Sequence, residues 1–176
     1  MGQRSINDFN QDLAYSLQAS TASFWDRVYQ KACVDLSHTE LCTDLFWQKQ
    51  GVDRVVHLTS GRKLHVDEKC RRRVYSDILL ETVSNDATGA PGWIEKDLNI
   101  DYLAYAFMPV ARVYLFPWDM LRRAWRHFGK QWQQQYGTVE AYNVGYTTYS
   151  VPVPIKVLRS AVQRATIIQL EQRALA

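Results

Sequence analysis

Apolar and polar positions along the chain change period several times, and each change predicts an element. Phe24, Trp25, Val28, Tyr29 and Cys33 recur at helical spacing and predict an amphipathic helix over 23–34. Within the preceding twenty polar residues, Phe9, Leu13 and Leu17 suggest a short helix capped by Ser5 or Asn7. A segment from Thr39 to Trp47 then leads to Gly51. From Asp53 the pattern turns β-like. Runs at 53–58 and 63–69, rich in valine, leucine and histidine, flank Thr59-Ser60-Gly61-Arg62, a sequence suited to a tight turn. A third strand is predicted over 74–83, followed by a loop at 84–93 marked by Asn85, Asp86, Gly89, Pro91 and Gly92.

Two aromatic-rich strands are predicted next, at 101–107 and 112–116. Pro117 opens a helix reaching Tyr136, where Gly137 follows its end. Trp118, Trp125 and Trp132 recur every seven residues on it, the spacing of a core stripe or a partner-facing seam. The stretch 142–153 carries β-formers, but Pro152 and Pro154 restrict it to a sheet edge or a loop. Val157, Leu158, Ala161, Val162, Ala165 and Ile168 predict a final helix over 155–174. Helices, three strands, two strands and helices in this order suit an α/β or α+β sheet covered by helices.

Composition narrows the classes. The chain has 176 residues, a length that predicts one domain over 1–176, with 47% hydrophobic and 22% charged residues, an ordinary globular balance. No apolar run approaches the ~20 residues that span a bilayer. The first residues lack the apolar core of a signal peptide. The three cysteines Cys33, Cys42 and Cys70 form no disulfide framework or zinc-finger spacing. The expectation is a cytoplasmic protein with reduced thiols and no membrane partner. Net charge is +3, a mild lean toward polyanions, but the basic residues are grouped. Four of the five residues 69–73 are basic, and Arg122, Arg123, Arg126 and Lys130 form a second group. Such runs are either solvated faces or contacts for a phosphate backbone. Phosphate loops, dinucleotide-binding glycine motifs and serine-hydrolase elbows are absent.

The candidate chemistry lies in the hairpin. Alternation puts Asp67 and Lys69 on one strand face and Glu68 on the other. Folding at Gly61 can return Asp53 to that pair, so that two carboxylates and an ammonium converge. Two carboxylates suit a hard divalent cation, and a lysine beside them can orient or deprotonate a water or stabilise charge on a phosphate. Asp53, thirteen intervening residues and Asp67-Glu68-Lys69 resemble the motif of the PD-(D/E)XK nuclease superfamily, although Val52 stands where the motif's name has proline. The resemblance covers about residues 40–82. It implies an α/β restriction-endonuclease-like fold, a central mixed sheet flanked by helices. It also implies phosphodiester hydrolysis in DNA, with RNA not excluded, assisted by Mg2+ or Mn2+. Asp53, Asp67 and Lys69 would be catalytic, Asp53 and Asp67 the metal ligands, and Arg71, Arg72 and Arg73 the contacts to nucleic acid.

Glu81, near the end of the third strand, is a further ligand if that strand lies beside 63–69, and otherwise a surface glutamate. Related nucleases often take an extra acid from a preceding helix, which makes Asp26, Glu40 and Asp44 weaker candidates. His57 and His65 lie on the hairpin within reach of a phosphate, or pack as ordinary strand residues. Tyr142, Tyr146 and Tyr149 can stack on bases or pack in a sheet. The competing function is a non-catalytic DNA- or protein-binding module that keeps the nuclease-like fold.

Overall fold

The computed structural model describes residues 19–163 and 165–171, which form a mixed α/β structure with a curled mixed sheet and flanking helices. The first two α-helices are α1 (Ala19–Ala32) and α2 (Leu45–Lys49). Strands β1 (Leu36–Leu41), β2 (Arg54–Leu58), β3 (Lys63–Arg71), β6 (Tyr102–Phe107), β7 (Arg112–Pro117) and β10 (Thr166–Gln169) form one sheet in the order β1-β2-β3-β6-β7-β10. β3 and β6 are parallel, and the other neighbours are antiparallel. A second, four-stranded antiparallel sheet contains β4 (Asp77–Asn85), β5 (Ala90–Pro91), β8 (Val139–Asn143) and β9 (Tyr146–Pro154), in the order β5-β4-β9-β8. Helices α3 (Trp118–Tyr136) and α4 (Ile155–Ala161) complete the framework.

The hairpin forms as its sequence requires. Arg54 pairs with Val66 and His57 with Lys63, while Gly61 adopts φ +82° and donates its N–H to the Leu58 carbonyl. A left-handed φ is what glycine supplies at such a turn. The two faces of the six-stranded sheet meet different layers. One carries Val56, Val66, Ala104, Ala106, Val113 and Ile168 against Phe24, Trp25, Val28 and Tyr29 of α1. The other carries Leu103, Tyr105, Phe107, Tyr114 and Phe116 against Ile78, Leu80, Val151 and Val153 of the second sheet and Leu121, Trp125 and Trp132 of α3. The tryptophan stripe is therefore core, with Trp118, Trp125 and Trp132 all buried.

Four expectations from the sequence need correction. The third strand runs from Asp77 rather than Val74, and it does not lie beside β3; it pairs with β5 and β9 in the second sheet. The final helix stops at Ala161, and the chain turns into β10, which pairs with β7. The β-branched run Thr166-Ile167-Ile168 favours a strand, and the open edge of β7 supplies its partner. Residues 172–174 of that expected helix, and the expected helix within the first eighteen residues, lie outside the described residues. The stretch 142–153 belongs to a hairpin rather than a loop. Pro152 and Pro154 sit beyond the last residue paired with β8, where β9 has β4 as its one neighbour. Their missing N–H groups therefore cost no ladder bond on the open side. β1 was not anticipated, because Leu-Ser-His-Thr-Glu-Leu lacks an apolar alternation; it is a mostly exposed edge strand.

Candidate active site

Asp53 stands just before β2, and its backbone N–H donates to the Val66 carbonyl at 2.9 Å, which registers it against the middle of β3. Its carboxylate accepts the Glu68 N–H at 2.8 Å, and its charge acts on the Asp67 carboxyl. Asp67 is buried, and Lys69 Nζ donates to its Oδ1 in an ion pair. The Asp67 side chain is 3% exposed and that of Lys69 34%, so the carboxyl is sealed in while the lysine reaches solvent. The strand alternation read from the sequence thus brings Asp53, Asp67 and Lys69 together.

The electrostatics follow from this crowding. Burial pushes the Asp67 carboxyl up to about 7; Lys69 pulls it down, and the negative charge of Asp53 adds to the rise. Burial acts to lower Lys69, but Asp67, Asp53 and Glu81 outweigh it and hold the ammonium protonated well above the ordinary lysine range. Glu81 joins through Lys69 even though its strand belongs to the other sheet. Its carboxyl is raised by burial, against the pull of Lys69, a backbone N–H of Trp93 and Lys96.

The backbone positions Glu81 tightly. Gly92 donates to the Thr82 carbonyl at 2.9 Å, and Ile94 to that of Glu81 at 3.2 Å. A Cβ on Gly92 would stand 2.1 Å from the Glu81 carbonyl oxygen, so only glycine permits this approach. Irregularities of β4 pairing fall between Glu81 and Val83 and between Val83 and Asn85. Such bulges bend a strand locally. Beside them a cleft of about 570 Å³ opens, lined by Lys69, Glu81, Trp93, Lys96, Asn143 and Tyr146 among others.

Other sequence candidates lie elsewhere. Arg71 donates to the Tyr105 hydroxyl at 3.0 Å and lies 4.2 Å over the Tyr75 ring, so it is engaged within the protein. Arg72 and Arg73 are exposed in the β3–β4 connection. Asp26 pairs with Arg54 at 3.2 Å, Glu40 contacts His57, and the Asp44 side chain caps α2. His65 packs against Trp47, 4.5 Å between ring centres. Tyr146 lines the cleft, while Tyr142 hydrogen-bonds to Glu140.

The sequence reading missed the role of Glu68. It points to the opposite face, as alternation requires, and there accepts from Arg54 Nε at 2.7 Å and from the Tyr29 hydroxyl at 3.0 Å. Arg54 is 3% exposed and reaches Asp26 as well. Burial pushes the Glu68 carboxyl up to about 7, against the pull of Arg54. The available signal was a charged residue at each of two core-facing strand positions, Arg54 and Glu68.

Asp53 and Asp67 offer carboxylate oxygens, the donors that hard cations prefer. The mutual repulsion of Asp53 and Asp67, one exposed and one buried, is the charge imbalance a bound cation relieves. Among the described residues, Asp53, Asp67 and Glu81 do not bring their carboxylate oxygens all within 4.8 Å of one another. No family model, no curated protein and no solved structure matches this chain.

Proposed function

We propose that this protein is a metal-dependent nuclease that hydrolyses phosphodiester bonds in DNA by a PD-(D/E)XK-type mechanism on a restriction-endonuclease-like fold. The observation that carries the reading is the junction of Asp53, Asp67 and Lys69, with Lys69 also lining a cleft. Asp53 and Asp67 hold Mg2+ or Mn2+, which supplies Lewis acidity and a more acidic bound water. Lys69, kept protonated, donates hydrogen bonds. It orients the attacking water and stabilises the negative charge that develops on the scissile phosphate. Asp67 fixes the ammonium, and Glu81 holds it from the other side.

The cleft supports nucleic acid as the substrate. Lys96 supplies a cation, and Trp93 and Tyr146 supply aromatic surface, a pairing suited to phosphate and base together. Arg72 and Arg73 are exposed cations that would contact the backbone.

The test is cleavage of duplex, single-stranded and branched DNA, and of RNA, by purified protein with Mg2+ or Mn2+. The expected result is DNA cleavage that Lys69→Ala lowers by about 10²–10⁴-fold without loss of fold. Lys69→Arg should fail to rescue, because the planar guanidinium places its donors differently. Binding of DNA without cleavage under any of these conditions would replace the enzyme with a non-catalytic nucleic-acid-binding module.

A further inference from the structure

A second group of ligand atoms lies on the exposed edge formed by β1 and β2. His38 and Glu40 occupy alternate positions of β1 and so share a face. His57 of β2 stands opposite His38 in the ladder. One donor atom from each of His38, Glu40 and His57 lies within 4.8 Å of the others. The two imidazoles stack with centres 4.1 Å apart and planes 13° from parallel. His57 Nε2 lies 2.8 Å from Glu40 Oε1, and His38 Nδ1 lies 3.2 Å from the Ser37 hydroxyl, leaving His38 Nε2 for another partner.

We propose that His38, Glu40 and His57 form a second metal site, selective for a borderline transition ion of the Zn2+ class. Two imidazole nitrogens and one carboxylate oxygen are the donors Zn2+ accepts, and they differ in kind from the all-oxygen set at Asp53 and Asp67. Zn2+ ligands at ~2.0–2.1 Å stand about 3.3 Å apart in a tetrahedral shell. Exposed His38 and Glu40 close that gap by side-chain rotation alone. The Ser37 hydroxyl sets the orientation of the His38 ring, as outer partners of metal-bound histidines do. Lys63 is the cation near Glu40 that opposes the ion, and it is itself exposed and able to turn away.

Three protein donors leave a coordination position open. A groove of about 530 Å³ adjoins the cluster, lined by Glu40, Cys42, Trp47, Lys63 and His65 among others. Occupancy would tie the edge strand β1 to β2 through side chains as well as backbone.

The experiment is calorimetric titration of the full chain with Zn2+ in excess Mg2+, which occupies oxygen-only sites. It is paired with NMR of the four histidine rings. The expected result is one Zn2+ per chain, with the ring signals of His38 and His57 shifting and those of His65 and His127 staying in place. His38→Ala and His57→Ala should each weaken binding at least tenfold, and Cys42→Ser should leave it unchanged. Absence of Zn2+ binding, unmoved His38 and His57 signals, full affinity in either histidine variant, or loss of binding in Cys42→Ser would each overturn the proposal. These outcomes do not depend on DNA cleavage, so failure here and failure of the nuclease reading are separate.

Discussion

Lys69 and Asp67 show how burial decides what a charged residue does. A lysine alone in this position would lose its proton more easily; with Asp67, Asp53 and Glu81 around it, the ammonium is fixed. Asp67 carries the opposite consequence. Its folded pKa of about 7 lies above the ordinary carboxyl range, so the metal-free folded state binds a proton that the unfolded state has released near pH 4. The stability this group contributes is present below about pH 4 and is lost as pH rises through about 7. Metal-free protein should therefore unfold at a lower temperature at pH 8 than at pH 5. Asp67→Asn should recover stability at pH 8, by at least about 1 kcal/mol, while abolishing Mn2+ binding at this site. Thermal scans at the two pH values, with and without Mn2+, check both effects. An equal pH dependence in wild type and Asp67→Asn would assign it to other groups.

Elements were legible in the sequence to the extent that their residues could form only one structure. The β2–β3 hairpin was readable because Gly61 sits between two β-rich runs, and α3 because its tryptophan stripe ends at Gly137. The apolar spacing from Val157 to Ile168 fits a helix as well as a helix followed by a strand, and the free edge of β7 decided between them. The motif residues were readable through strand alternation. The approach of Glu81 was not, since it depends on how two sheets dock rather than on any local pattern. Two contacts between elements carry testable weight. Arg54→Met strips Glu68 of its buried partner and should cost about 3–5 kcal/mol in urea unfolding, more at pH 8 than at pH 6 because Glu68 is then more fully charged. Gly92→Ala drives a methyl group into the Glu81 carbonyl and should cost at least about 2 kcal/mol, with cleavage falling as Glu81 shifts. Retained stability in Gly92→Ala would show that the chain just after β5 yields easily.

For the whole molecule, the two sheets share one core, and the cleft lies where Lys69 of one meets Glu81, Asn143 and Tyr146 of the other. Among the described residues no helix is long and apolar enough to cross a membrane. With a net charge of +3, affinity for DNA should rest on a few placed cations rather than on an overall field. Lys96→Ala should weaken binding and reduce the slope of log affinity against log salt by about one unit on duplex DNA, somewhat less on single strands. An unchanged slope would place the nucleic acid outside this cleft.

The route of the chain through these sheets sets the order in which the candidate site is assembled. Asp53, Asp67 and Lys69 all precede residue 70, yet the parallel partner of β3 is β6, and the far wall of the cleft comes from β8 and β9, beyond residue 138. A ribosome releasing this chain from its N-terminus would expose the motif residues long before the strands that enclose them. On the proposed nuclease reading, the site would be complete only after β8 and β9 have emerged and the two sheets have closed on each other.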